Sequence, residues 1–140
     1  MSAESTIIYH SKIGIGILLF IIFIIGGVSA ILIIKGASVG LLTLTPAVLL
    51  ILNIYLQTSY KITPNKKLLI KSGILFNAQI DIETIKKIQS SNSILSGPAL
   101  SMDRLEIFYN KYDSILISPK NTQDFITNLL AINPDINVLI

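Results

Sequence analysis

The chain has 140 residues, a formal net charge of +3, no cysteine and a single histidine, His10. The lack of cysteine excludes disulfides and thiolate metal sites, and the lone histidine, in what we interpret as a tail, argues against histidine-based catalysis in the folded domain. The weak positive charge is dispersed without interleaved aromatic residues, so we expect no nucleic-acid binding. We expect no cofactor and no metal, since Asp81, Glu83 and Asp113 lack ligand spacing.

Two apolar runs follow the N-terminal segment, residues 1–12, which we interpret as a tail. Residues 13–34 are uncharged, and as a helix they would extend ~33 Å, enough to cross a ~30 Å hydrocarbon core. Residues 39–56 form the second run, in which Pro46 is expected to kink the helix and Asn53 to reach the interface. The sequence predicts a two-helix transmembrane hairpin.

A cleaved signal peptide is the alternative for the first run, because residues 28–30, "VSA", fit a cleavage site. The hairpin is favoured because the run continues through Ile34 and a second run follows almost at once. Gly26 and Ala30 form a small-xxx-small pair that would let the two helices approach closely.

Lysines flank the hairpin unequally. The tip carries only Lys35, whereas Lys12 precedes the first run and four lysines follow the second: Lys61, Lys66, Lys67 and Lys71. The positive-inside rule therefore predicts a multi-pass protein of the cell membrane with both termini and the soluble domain in the cytoplasm. These four lysines are also our candidate contacts to anionic lipid, although they would equally serve only to set topology.

Residues 57–140 carry short β patterns and one helix pattern. The strand segments are "SYKIT", "KKLLIKSG", "ILFNAQIDI", a piece beginning at Ile85, "DRLEIFY" and "DSILIS". A three-residue loop, residues 110–112, would pair Ile107 with Ile115 and keep the apolar set on one face. Residues 119–132 are predicted to be helical, with Ser118 as N-cap and Pro119 in the first position. The closing "DINVLI" is an apolar tail that would pack on the domain or the membrane.

These elements predict an α+β chain in which the hairpin precedes a small antiparallel β-roll of about six strands capped by the C-terminal helix. The words "SGPALSMDRLEIFY", "ILISPKNTQDFI" and the closing "NP" resemble the small bacterial pleckstrin-homology-like (PH-like) domains of membrane-anchored proteins. The resemblance covers roughly residues 60–134. It implies a PH-like roll and supplies no ligand and no catalytic motif.

A polar stretch leading into the fifth strand segment is the first candidate for catalysis, ahead of the carboxylate pair Asp81 and Glu83, which has no aromatic pocket or third polar partner beside it. It contains Gly97, Pro98, Ser101, Asp103 and Arg104, but no histidine or nearby lysine that would activate the serine. We therefore interpret these residues as a structural motif in which Gly-Pro makes a turn and polar side chains bind loop amides.

The sequence thus predicts a non-enzymatic PH-like binding or scaffold module at the cytoplasmic face of a membrane. Its expected partners are the lipid bilayer and an unidentified protein. One alternative is a small structural subunit of a larger membrane complex, in which the Gly26/Ala30 face and Asn53 would contact other helices. A catalytic domain using Ser101, Asp103 and Arg104 is the less favoured alternative.

Overall fold

The computed structural model describes residues 5–92, 101 and 103–140. It contains two long apolar helices and a β-rich domain. Helix α1 comprises Ile15–Ile34 and helix α2 comprises Ser38–Leu56, which continues through Pro46. Both are long and apolar enough to cross a membrane, and neither contains a buried residue. A core helix of a soluble domain would bury one face, so the lack of any buried residue is typical of helices that need a lipid environment.

The two helices approach each other at Gly40 of α2. A Cβ atom on Gly40 would lie 2.9 Å from Leu32 Cδ2, so a larger residue there would displace the Leu32 side chain of α1. A Cβ on Gly26 would meet nothing within 4 Å, and Ala30 is exposed. The prediction that Gly26 and Ala30 bring these two helices together is therefore wrong, because both residues lie on another side of α1.

Over the described residues, the β-rich domain contains eight strands and a third helix. In chain order the strands are β1 (Ile7–His10), β2 (Ser59–Thr63), β3 (Lys67–Ser72), β4 (Phe76–Asp81), β5 (Ile85–Ser91), β6 (Arg104–Tyr109), β7 (Asp113–Ile117) and β8 (Asn137–Leu139). A 3₁₀ turn, Ile82–Thr84, separates β4 from β5, and helix α3 comprises Thr122–Ile132. The six segments predicted from the sequence correspond to β2 through β7.

The strands form two four-stranded sheets, with the orders β1-β2-β3-β4 and β7-β6-β5-β8. The predicted loop between β6 and β7 is confirmed, because Ile107 pairs with Ile115 and Leu105 with Ile117. All pairings are antiparallel except that of β8 with β5, which is parallel. The apolar tail is thus partly a strand: after α3 the chain returns along the edge of β5, where Val138 pairs with Ile88.

Strand β1 lies in the segment that the sequence interpretation assigned to a tail. It pairs with β2 along its whole length, from Ile7 opposite Ile62 to His10 opposite Ser59. The histidine therefore belongs to the folded domain, where its side chain is exposed. Because β1 precedes α1 and β2 follows α2, the two-helix hairpin is an insertion between adjacent strands of one sheet.

The core fills the space between the two sheets and α3. Phe125, Ile126 and Leu129 are the buried side of the helix and pack on inward-facing residues of both sheets. The helix begins at Thr122 with Asn121 as its N-cap, so the predicted start at Ser118 and Pro119 is wrong. Those two residues instead extend the β structure: the Lys12 amide donates to the Ser118 carbonyl at 2.6 Å, and Pro119 forms a β-bridge with Ser11.

Candidate binding surfaces

Short, hydrogen-bonded connections join the hairpin to the roll. After α2 the chain enters β2 through Gln57 and Thr58, and the buried Thr58 hydroxyl donates to the Ile54 carbonyl of the helix at 2.6 Å. The same hydroxyl lies 3.0 Å from that of Ser72 at the end of β3. On the other flank, the Ser11 amide donates to the Thr58 carbonyl at 3.3 Å. The segment leading into α1 and the segment leaving α2 are therefore hydrogen-bonded to each other, and the latter also to the end of β3.

Asn53 adds a contact between the hairpin and the turn that connects β3 to β4. Its Oδ1 atom accepts a hydrogen bond from the Ile74 amide at 3.1 Å. Gly73, with φ +57°, makes this approach geometrically feasible, because a Cβ there would lie 2.8 Å from the same oxygen. The polar side chain near the end of an apolar helix thus has a partner within its own chain.

A buried polar cluster fastens β1 to the segment that follows β7. The Tyr60 hydroxyl donates to Ser11 Oγ at 3.2 Å and accepts from the Ser118 amide at 3.1 Å. The Ser11 and Ser118 hydroxyls are 3.1 Å apart. Burial raises the pKa of Tyr60, while the hydrogen bonds with Ser11 and Ser118 and the charge of Arg104 act in the opposite direction. The cluster closes the roll between its two sheets.

The described residues of the catalytic candidate serve local structure. The Ser101 hydroxyl accepts from the Asp103 amide at 3.3 Å, and Arg104, which is buried, donates from Nε to the Ser101 carbonyl at 2.6 Å. The Asp103 carboxylate forms an ion pair with Lys12 at the start of the hairpin. Gly97 and Pro98 lie outside the described residues. These contacts support the structural interpretation of Ser101, Asp103 and Arg104.

Three of the four candidate lysines lie on the outer face of the first sheet, where they alternate with buried residues. Residues paired across neighbouring strands form rows, and Lys71 shares the row nearest the hairpin with Ser59 and His10. On the same face Lys61 lies in the next row away from the hairpin, and Lys67 lies in the row after that. The fourth, Lys66, occupies the β2–β3 turn at the far end and pairs with Glu83 at 2.6 Å. The structure therefore orders the lysines by distance from the helices.

A groove of about 570 Å³ opens at the distal end of the roll, which is the end away from the hairpin. Its apolar lining includes Ile7, Ile62 and Ile132, and its polar lining includes Thr63 and Asn128. The groove lies between the edge of the first sheet and the C-terminal half of α3. The sequence did not predict this groove because one of its walls is β1, which was interpreted as part of a tail. The β-branched and aromatic residues of "IIYH" were the available signal for a strand there.

The comparisons with known proteins agree with this architecture. A family model described as "Bacterial PH domain" matches residues 58–133, which is more than half of the chain. The chain belongs to the bacterial PH domain family. No curated protein and no solved structure gives a significant match. The resemblance noted in the sequence over residues 60–134 is therefore confirmed.

The family match helps to explain how this PH domain is assembled. The matched segment begins at Thr58 and contains β2 through β7 and α3, but it does not include β1. In the structure β1 contributes the buried Tyr9, which packs in the core with matched elements, and the next residue along the chain, the buried Ser11, donates to the Ser118 carbonyl. Among the described residues no group of three or more acidic, histidine or cysteine side chains is arranged to hold a metal.

Proposed function

We propose that this protein is a membrane-anchored, non-enzymatic PH-like domain that acts as a binding module at the cytoplasmic face of the cell membrane. The observation that carries the proposal is the insertion of the apolar hairpin between β1 and β2. A domain attached in this way is held against the bilayer by two short connections rather than by a flexible linker. Its distal groove then faces away from the membrane, accessible to a protein partner.

The cytoplasmic assignment is supported by charge and by strand pairing together. Residues on both flanks of the hairpin must lie on one side of the membrane, because His10 and Ser59 are neighbours in a sheet. That side carries Lys12, Lys61 and Lys71, whereas Lys35 is the only charge at the hairpin tip. The positive-inside rule favours the cytoplasm for the lysine-rich side.

Replacing residues 13–56 by a short Gly/Ser turn tests the anchoring. The turn would join β1 to β2 as an ordinary hairpin, so the domain should fold and move from the membrane fraction to the soluble fraction. If the replaced and full-length proteins partition alike, the helices are not the anchor.

Photo-cross-linking from Thr63, beside the distal groove, tests the binding role in cells. Ala131 lines the groove with an exposed side chain, so Ala131→Arg should fill it without disturbing the core and abolish the cross-links. Gln123→Arg is the matched control, because Gln123 is exposed on the same helix and does not line the groove. Cross-links that persist unchanged in Ala131→Arg would contradict binding at the groove.

A role as a small subunit of a membrane complex is the second candidate. It is favoured by the exposure of Gly26 and Ala30, which form a small-residue face of α1 that α2 does not cover. Asn53 no longer supports it, since its oxygen is bound by the Ile74 amide. Native mass measurement after gentle extraction would separate a monomer from a complex, and Gly26→Leu should dissociate a complex built on this face.

A further inference from the structure

Three consecutive large apolar side chains are exposed where β3 turns into β4. Ile74, Leu75 and Phe76, here called the apolar turn, are 73%, 65% and 40% exposed. The last pair of the two strands is Ser72 with Phe76, so the residues lie at the tip of a tight connection. Such turns usually carry Gly, Asn, Asp, Ser or Pro, and a cluster of exposed apolar residues marks an interaction surface.

The apolar turn lies beside the last turn of α2. The Ile74 amide donates to Asn53 Oδ1 at 3.1 Å, and a Cβ on Gly73 would be 3.1 Å from the Cα of Ile54. Asn53 is three residues before the end of the helix at Leu56. At about 1.5 Å of rise per residue, the turn therefore lies beside a point on the axis of α2 that is ~4–5 Å before the C-terminal end of the helix.

We propose that the apolar turn inserts into the lipid interface of the membrane that α1 and α2 span, as a third point of attachment. The inference rests on the proposed membrane anchoring and goes beyond it. Because the end of a spanning helix lies at the interface, the depth of Asn53 and Ile54 places Ile74 and Leu75 among headgroups and upper acyl chains. The partner is therefore the bilayer itself.

The polar groups around the turn are arranged as this environment requires. A backbone amide at membrane depth needs a protein partner, since water is scarce there, and Asn53 supplies that partner to Ile74. Lys71, exposed on the preceding strand, lies where its ammonium group reaches lipid phosphates. Attachment at two helices and a turn fixes the orientation of the domain on the surface, and so fixes the direction in which the distal groove opens.

A single tryptophan tests the proposal, because the chain has none. The full-length Leu75→Trp variant is placed in lipid nanodiscs containing lipids brominated on their acyl chains, and its fluorescence is recorded. The control is Tyr112→Trp, which replaces a residue that is 86% exposed in the distal β6–β7 loop. We expect a blue-shifted emission that brominated lipid quenches strongly for Leu75→Trp, and a red-shifted, unquenched emission for Tyr112→Trp.

A lack of quenching of Leu75→Trp by brominated lipid would overturn the insertion at any emission wavelength. Blue-shifted emission without quenching would indicate that a protein partner covers the turn, and red-shifted emission without quenching would indicate that the turn lies in water. Tryptophan itself prefers interfaces, so a spin label on Leu75→Cys provides a second test. Its relaxation is compared between oxygen, which concentrates in the bilayer, and a water-soluble relaxation agent. Stronger relaxation by the water-soluble agent would also overturn the insertion. Should Leu75→Trp fail to fold, Ile74→Trp provides the same measurement. Failure to enter nanodiscs at all would instead contradict the membrane anchoring, so the two failures are distinguishable.

Discussion

His10 and Ser59 lie opposite each other in adjacent strands, although both apolar helices separate them along the chain. The pairing makes the N-terminal segment a structural part of the PH domain. It also means that the hairpin leaves and re-enters the sheet at neighbouring positions, so the hairpin and the domain form one folded unit.

Removing the Tyr9 side chain should destabilise the whole domain. Tyr9 is 5% exposed, its ring contacts Phe125 edge-on at 5.2 Å, and its hydroxyl donates to Asp124 at 2.8 Å. Truncation of a buried aromatic residue lowers the free energy of unfolding by about 3 kcal/mol or more. Chemical denaturation of Tyr9→Ala in detergent should show this loss. Ile8→Ala, on the outer face of the same strand, should change the value by less than about 0.5 kcal/mol.

A side chain at Gly73 should disturb the contact between the domain and α2. The residue has φ +57°, and a Cβ there would lie 2.8 Å from Asn53 Oδ1. The left-handed backbone alone costs about 1–2 kcal/mol for an L-residue, and the steric contact adds to it. Gly73→Ala should therefore lower the thermal stability and speed hydrogen exchange at the Ile74 amide. Asn77→Ala, an exposed change on the neighbouring strand β4, should leave both unaltered.

The outer-face lysines should bind anionic lipid in the order of their distance from the helices. Each lysine close to an anionic surface gains about 1 kcal/mol, and the gain falls off over a Debye length of about 8–10 Å. Rows two residues apart on a strand differ by roughly 7 Å. We expect the fraction of anionic lipid retained in polymer-extracted particles to fall most for Lys71→Gln, less for Lys61→Gln and least for Lys67→Gln. Lys66→Gln is the control, and an effect equal to that of Lys71→Gln would contradict the order.

The stability of the domain should decrease in alkaline solution. Burial raises the pKa of Tyr60, and burial together with the Asp124 hydrogen bond raises that of Tyr9, both from an ordinary value of 10.0. The folded state therefore holds these protons more tightly than the unfolded state does. The contribution of these two tyrosines to the free energy of unfolding is fully present below about pH 10 and is lost as the pH rises past that value. Denaturation series should show this slope unchanged in Tyr112→Phe and shallower in Tyr60→Phe.

Most of the fold follows from local patterns. Alternation in β6 and β7 predicts their register, and the lengths of the apolar runs predict both long helices. Strand β1 was missed because four residues say little by themselves, and their partner Ile62 is 55 positions away from Ile7. The start of α3 was misplaced for a similar reason. Pro119 suits a first helical position, but pairing with Ser11 holds it in extended structure.

The candidate binding surfaces were harder to predict from the sequence than the fold. The lysines were visible as a group, but their order from the hairpin depends on the pairing of β2 with β3. The distal groove depends on β1, and the significance of Ile74 depends on its contact with Asn53. Each of these relationships joins residues distant in the chain, and no local periodicity encodes them.

Labelling of single cysteines in intact cells is the most direct test of the inserted hairpin, because the natural chain has no cysteine. The positions are Ser5 before β1, Ala37 between the helices and Tyr112 in the distal loop, each exposed. A membrane-impermeant maleimide should label Ala37→Cys in cells whose outer surface is accessible, and should label Ser5→Cys and Tyr112→Cys only after lysis. Labelling of Ser5→Cys and Tyr112→Cys from opposite sides of the membrane would contradict the pairing of β1 with β2 and the insertion of the hairpin between them.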